Sequence, residues 1–281
     1  MLNFKKINLL PLAITMPAMI VGVLAMINNQ VPPSIYGQNI LIAIVGGIIS
    51  FFVLFRDQKS TKKKTNIIVI TCILILFLLT FLDKGLDGVH RWIAIGPLRF
   101  NIALVLVPLI LIKLSSLIKS KPIWVTFGFA LFFALLLLFQ PDASQLTAFT
   151  ISISILFLTI KKNKNIQILL LIVFILLMIL SWSHLDQLAP VSYVEDILSL
   201  VKEMGIGWLI IGLISLFILP MPFFLSPPTN AKPLSFSLGT YFLICILSSF
   251  FGNFPVPIMG YGTSPFIGYL IAITWYVYHK K

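Results

Sequence analysis

Charge is what this sequence has least of. Only 10% of its residues are Asp, Glu, Lys or Arg, against 59% hydrophobic. A soluble domain of this length needs far more polar surface, so a free cytosolic or secreted enzyme is excluded. Acids are the scarcest group, eight in 281 residues. Long polar stretches are also missing, which leaves no room for an extramembrane domain, and the chain reads as a single membrane-embedded helical domain over 1–281. Cysteine is limited to Cys72 and Cys245, each inside an apolar run. That excludes a disulfide scaffold or a thiolate metal centre and makes both packing residues. Strand-type alternation of apolar and polar residues is absent, which excludes a closed β-barrel. No small-residue cleavage site follows the basic start, so the first apolar run is expected to remain as an anchor.

What the chain has instead is a series of apolar runs, near 9–27, 39–55, 65–82, 102–118, 122–139, 145–160, 165–182, 205–225, 234–251 and 265–279. A helix of about 20 such residues crosses a hydrocarbon core of roughly 30 Å. The expected fold is therefore all-α and polytopic, with about ten transmembrane helices. The stretch from 102 to 139 is split at Lys119–Lys121, because Pro122 suits the first position of a new helix. With the N-terminus placed in the cytoplasm, all 20 basic residues except Lys84, Arg91, Arg99 and Lys202 fall on the cytoplasmic side. Every acid except Asp57 falls opposite. This is the positive-inside pattern, with both termini cytoplasmic. The net charge of +12 then reports topology and anionic headgroups, and no nucleic-acid partner is expected.

The loops of the opposite side carry the chemistry-capable residues. Gly88-Val89-His90-Arg91-Trp92-Ile93 leads to Gly96-Pro97. Arg91 offers a rigid fork of donors suited to phosphate, and Trp92 suits an interface; the plain alternative is an interfacial turn with an aromatic anchor. Gln140-Pro141-Asp142 follows at the end of the fifth run, where Asp142 either faces a polar cavity or simply caps the next helix. The longest and most acidic loop holds Asp186, Glu195 and Asp196 and ends in Lys202-Glu203-Met204-Gly205. Its acids are either solvated or catalytic, and His184 with Asp186 lacks a second ligand pair for zinc. The last loop, Pro255 to Pro265, sets Tyr261 between Gly260 and Gly262, which suits either an anionic headgroup or a compact re-entrant turn.

The order of these motifs resembles the FtsW/RodA/SpoVE (SEDS) membrane proteins of bacterial elongation, division and sporulation. The matching residues are Gly88, Arg91 to Ile93, Gly96 and Pro97; Gln140 to Asp142; Glu203 to Gly205; and Pro255, Pro257, Tyr261, Gly262 and Ser264. The resemblance implies a divergent, shortened member of that family in the bacterial cytoplasmic membrane. It implies a peptidoglycan glycosyltransferase that polymerises lipid II, a sugar–peptide on a polyprenyl pyrophosphate. It further implies an acid of the long loop as base, Asp196 first, with Glu195 or Asp186 in reserve. Arg91, Trp92, Gln140, Asp142, Tyr261 and Ser264 would line the substrate cavity. A divalent cation, Mg or Mn, and a single-pass class B transpeptidase are the expected helpers. The chain departs from the family where Asn101 to Val107 replaces a stretch bearing an intramembrane Glu and Lys. Intramembrane charges are costly and are kept for a task. Their loss keeps two alternatives open: a non-catalytic protein that binds the lipid carrier or a transpeptidase, and a flippase for the lipid-linked precursor.

Overall fold

A computed structural model describes residues 9–55, 64–96, 98–159 and 164–280. Each apolar run becomes helical. The first is α1 (Leu10–Ala13) with α2 (Thr15–Asn28). Next come α3 (Pro33–Phe55) and α4 (Lys64–Leu79), the latter extended by a 3-10 turn over Thr80–Leu82. Strands β1 (Trp92–Ile95) and β2 (Leu98–Asn101) precede α5 (Ile102–Ser120), α6 (Ile123–Phe139), α7 (Ala143–Leu158) and α8 (Lys164–Trp182). The short α9 (Ile197–Glu203) leads into α10 (Ile206–Ile218) and α11 (Met221–Leu225). A 3-10 turn at Thr229–Ala231 opens α12 (Lys232–Ser248), and α13 (Thr263–His279) ends the bundle.

By length and composition, five described segments can cross a membrane: Leu10–Asn28, Pro33–Phe55, Ile102–Ser120, Lys164–Trp182 and Thr229–Ser248. Four more are apolar but shorter: Ile68–Leu82, Ile123–Phe139, Ala143–Leu158 and Ile206–Ile218. Several main carriers of the charge asymmetry, Lys5, Lys6, Arg56, Asp57, Lys59, Lys62, Lys63, Lys161, Lys162 and Lys281, lie outside the described residues, as does Pro97.

Two local expectations are corrected. The second helix begins at Pro33 rather than near residue 39. Its polar first turns looked like loop, but Gln38 and Asn39 spend their polarity on the last loop, described below. The segment after Arg91 is a hairpin rather than a plain turn, with Trp92 opposite Asn101 and Ile95 opposite Leu98. Gly96 sits in its bend at φ +59°, a left-handed value that glycine reaches without a Cβ penalty.

The bundle is built around α5, α7, α12 and α13. The span window on α5 is 61% buried, whereas that on α8 is 17% buried. Ile172, Ile175, Leu176 and Ile179 of α8 point outward, as a lipid-facing surface requires. Lipid tails are as apolar as leucine, so helices in a bilayer associate through close packing and interhelical hydrogen bonds. Both occur here. Gly268 of α13 lies so near α5 that an added Cβ would stand 2.0 Å from the Leu104 carbonyl oxygen. The Ser237 hydroxyl donates to the Ser152 carbonyl at 2.7 Å, joining α12 to α7. Tyr269 donates to the Leu219 carbonyl at 2.8 Å. Cys72 is exposed and Cys245 buried, both as free thiols.

Candidate active site

The site grows from the hairpin. The Ile102 N–H donates to the Arg91 carbonyl at 3.1 Å, closing the hairpin one residue beyond the strands. Asn101 then caps α5, its side-chain oxygen accepting the Leu104 N–H at 3.1 Å. The Asn101 N–H donates to the Ser264 hydroxyl at 2.9 Å. One residue thus fixes the end of β2, the start of α5 and the start of α13.

So anchored, Arg91 turns inward and is only 4% exposed. Its Nε lies 3.5 Å from the Asp142 carboxylate and donates to the Gln140 carbonyl at 3.2 Å. Its terminal nitrogen Nη2 donates to the Pro141 carbonyl and to the Asp186 carboxylate. Both carboxylates are nearly as buried as Arg91. Asp142 uses its other oxygen as the cap of α7, accepting the Gln145 N–H at 3.1 Å. The cap reading of Asp142 therefore holds, and its second oxygen faces Arg91. Gln140 is fully buried and donates to the Thr80 hydroxyl at 2.7 Å. Its own Oε1 has no hydrogen-bond partner among the described residues. One cation thus holds together the hairpin, the α6–α7 corner and the acidic loop. Two carboxylates against one guanidinium leave the cluster net negative.

A second clasp joins the acidic loop to the last loop. The Tyr261 N–H donates to the Tyr193 carbonyl at 2.7 Å, and the Val256 N–H to the Val194 carbonyl at 3.3 Å. Gly260 is required there, since a Cβ would meet the Val194 oxygen at 2.4 Å. Asn39 of α3 reaches in from below. It donates to the Gly260 carbonyl and accepts the Gly262 N–H, both at 3.0 Å. The Tyr261 hydroxyl donates to Gln38 at 2.8 Å.

Glu195 sits between the two clasps. Its carboxylate accepts the Val191 N–H at 2.9 Å. Burial pushes its pKa above the ordinary 4.5, partly offset by backbone hydrogen bonds from Val191 and from its own N–H, with smaller electrostatic contributions from Arg91, which lowers it, and Asp186, which raises it. Asp196 is placed differently. It is exposed and accepts the Ser199 hydroxyl at the start of α9. Trp92 is half-buried on β1. The structure therefore gathers Arg91, Gln140, Asp142 and Asp186 tightly. Glu195 lies within their field, Tyr261 and Ser264 belong to the flanking clasps, and Asp196 lies outside the cluster. Thr80, Asn39 and Tyr193 were missed by sequence reasoning. Asn39 carried a signal, since an amide pair opening an apolar helix needs partners; Tyr193 contributes a backbone oxygen, which leaves no trace in sequence.

Among the described residues no three His, Cys, Asp or Glu side chains gather to hold a metal ion, and Asp142 and Asp186 already face Arg91. This donor set does not fit a resident divalent cation.

Fold and site together define a polytopic helical membrane protein with a buried ion-pair cluster where its loops meet. The FtsW/RodA/SpoVE family model, described as a cell cycle protein, matches residues 2–219, and the chain belongs to that family. No curated protein matches it. Among solved structures it is similar to the rod shape determining protein RodA of Thermus thermophilus, at 15% identity and a TM-score of 0.67, over 98% of this chain and 97% of that one. An aspartate-to-alanine variant of the same RodA gives a TM-score of 0.68 at the same identity and coverage.

Proposed function

We propose that the chain takes part in peptidoglycan synthesis for cell shape, in the bacterial cytoplasmic membrane, as a glycosyltransferase that polymerises lipid II or a related polyprenyl-pyrophosphate-linked sugar. The observation that carries this reading is the position of Glu195, a half-buried carboxyl with a raised pKa in the acidic loop, which Asp186 ties to Arg91 and Val194 ties to the last loop. A base works best when its pKa approaches the working pH. In this reaction the acceptor's 4-hydroxyl oxygen forms a bond to the donor's anomeric carbon. The bond from that carbon to the phosphate oxygen breaks, and the pyrophosphate leaves with the electron pair. Glu195 takes the hydroxyl proton. Asp196 stands next in line as base, and Asp186 positions Arg91. Arg91 spends Nε and Nη2 on its neighbours, so it organises the site, and Gln140 offers its unpaired Oε1 to a substrate hydroxyl. Mg or Mn enters this reading on the substrate's pyrophosphate, the usual way Mg reaches such sites. A single-pass class B transpeptidase is the proposed partner, its anchor lying on an outward apolar face such as that of α8.

A second reading rests on the same Arg91. A guanidinium flanked by two carboxylates has its charge more than offset within the cluster, which favours a non-catalytic protein that binds the lipid carrier or the transpeptidase. One experiment separates the two: detergent-purified protein incubated with labelled lipid II and Mg or Mn. Glycan chains that vanish in Glu195→Gln establish the enzyme. Retention of lipid II with no polymer establishes the binding protein. Undiminished polymer in Glu195→Gln, Asp196→Ala and Asp186→Ala alike would remove this site from the reaction.

A further inference from the structure

Helices α5 and α13 both start at the Arg91 end and finish together at the other, about 28 Å away for the 19 residues of α5. There they enclose a cavity of about 180 Å³ with the start of α12. Its lining mixes polar and apolar side chains. Lys119 and His279 supply basic groups, Ser115 and Ser116 hydroxyls, Asn230 an amide and Trp275 a flat apolar wall.

Three features make this a built site rather than a gap between helices. Ser115 is 9% exposed, lines the cavity, and has no hydrogen-bond partner for its hydroxyl among the described residues. Its oxygen opens on the cavity, so the hydroxyl is free to bond whatever enters. Lys119 has no ion pair among the described residues. Finally, α12 begins here with Ala231 at its N-cap and no side chain capping its first turn. Uncapped N–H groups and the positive end of a helix dipole favour an anion. The plain account of Lys119 and His279 is that they offset the negative C-terminal ends of α5 and α13. That account leaves the space, the unpaired Ser115 hydroxyl facing it and the uncapped α12 unexplained.

We propose that this cavity binds a phosphate group, most naturally the headgroup phosphate of an anionic glycerophospholipid entering sideways between α5, α12 and α13. Lys119 and the Nε2 edge of His279, whose Nδ1 meets the Trp275 carbonyl at 2.9 Å, face the charge; Ser115 and the first-turn N–H groups of α12 other than Pro233, which has none, donate to the phosphate oxygens, and Trp275 lies beside the glycerol. The volume suits one headgroup and is too small for a nucleotide. The site lies at the end of the bundle opposite the Arg91 cluster and does not depend on the reaction proposed there.

The test uses the full chain in nanodiscs of phosphatidylcholine with and without phosphatidylglycerol, read by native mass spectrometry for lipid retained after transfer to detergent. Wild type should retain one phosphatidylglycerol, and Lys119→Ala with His279→Ala should weaken retention about tenfold, the loss expected for a charged hydrogen bond. Lys164→Ala, on an exposed basic residue outside the cavity, should retain the lipid as wild type does. A parallel arm adds inorganic phosphate to protein free of anionic lipid. A Lys119-dependent rise in melting temperature there would assign the same chemistry to a soluble phosphate. Retention unchanged in the double variant with no phosphate effect, or an equal loss in Lys164→Ala, would overturn the proposal. Ser115→Ala, a small change inside a helix, gives a second check through a weaker loss without the charge change.

Discussion

At the scale of single residues, Arg91 and Glu195 make opposite use of burial. Arg91 is tolerated because Asp142 and Asp186 flank it. Replacing it by methionine strands two buried carboxylates, a loss of about 3–5 kcal/mol. We expect Arg91→Met to unfold well below wild type in detergent, and Arg91→Met combined with Asp186→Asn to recover part of the difference; melting curves of the three proteins decide this. Glu195 is penalised by burial, and its folded pKa lies above its unfolded one. The folded state therefore holds the proton longer, and stability falls as pH rises from about the ordinary value of 4.5 through the raised one. Activity should move the other way. Polymerisation of lipid II should climb with pH through the raised pKa as Glu195 becomes a free base. Glu195→Gln should abolish that limb, whereas Asp196→Asn should leave its midpoint in place. A limb that follows Asp196 instead would move the base to that residue.

At the scale of elements, the loops hold one another through backbone groups supported by a few amides. Asn39 is the clearest example, since it serves both a carbonyl and an N–H of the last loop. Asn39→Ala leaves those groups unpaired in a buried place, at about 1–3 kcal/mol. The expected result is faster hydrogen exchange over 256–262 with helix content by circular dichroism unchanged. Gly260→Ala should do comparable damage from the other side, by driving the Val194 carbonyl away from the last loop. The helices themselves were legible in the sequence, because an apolar run of bilayer length permits little else. The start of α3 and the hairpin were not. Gln38 and Asn39 look like loop until their distant partner is in view. Trp92–Ile95 is a run of uninterrupted apolar residues, so its strand character comes from pairing with 98–101 and not from its own pattern. Motif order foretold the company of Arg91 and Asp142. The choice of Asp186 over Asp196 as the third partner depends on how the acidic loop folds back, and chain order says nothing about that.

At the scale of the whole molecule, the bundle relies on close backbone approach where a soluble protein would rely on excluding water. Gly268→Val should push α13 off α5 and, through the Ser264–Asn101 bond, loosen the cap of α5. We expect a loss of about 1–3 kcal/mol, the range for overpacking a tight contact. A fall in melting temperature with a matching fall in polymerisation would show the two ends of this contact acting together. An unaltered melting temperature would mean that the helices can part without cost.

The bond from Asn39 to Gly260 spans 221 positions of the chain. A ribosome adding about 5–20 residues each second needs roughly 10–40 seconds to cover that interval. Throughout it, the second helix stands in the bilayer with its amide unanswered. The clasp between the last loop and α3 is therefore among the last parts of the newborn protein to close, and a chain cut short before Gly260 would insert its early helices yet never assemble the loops above them.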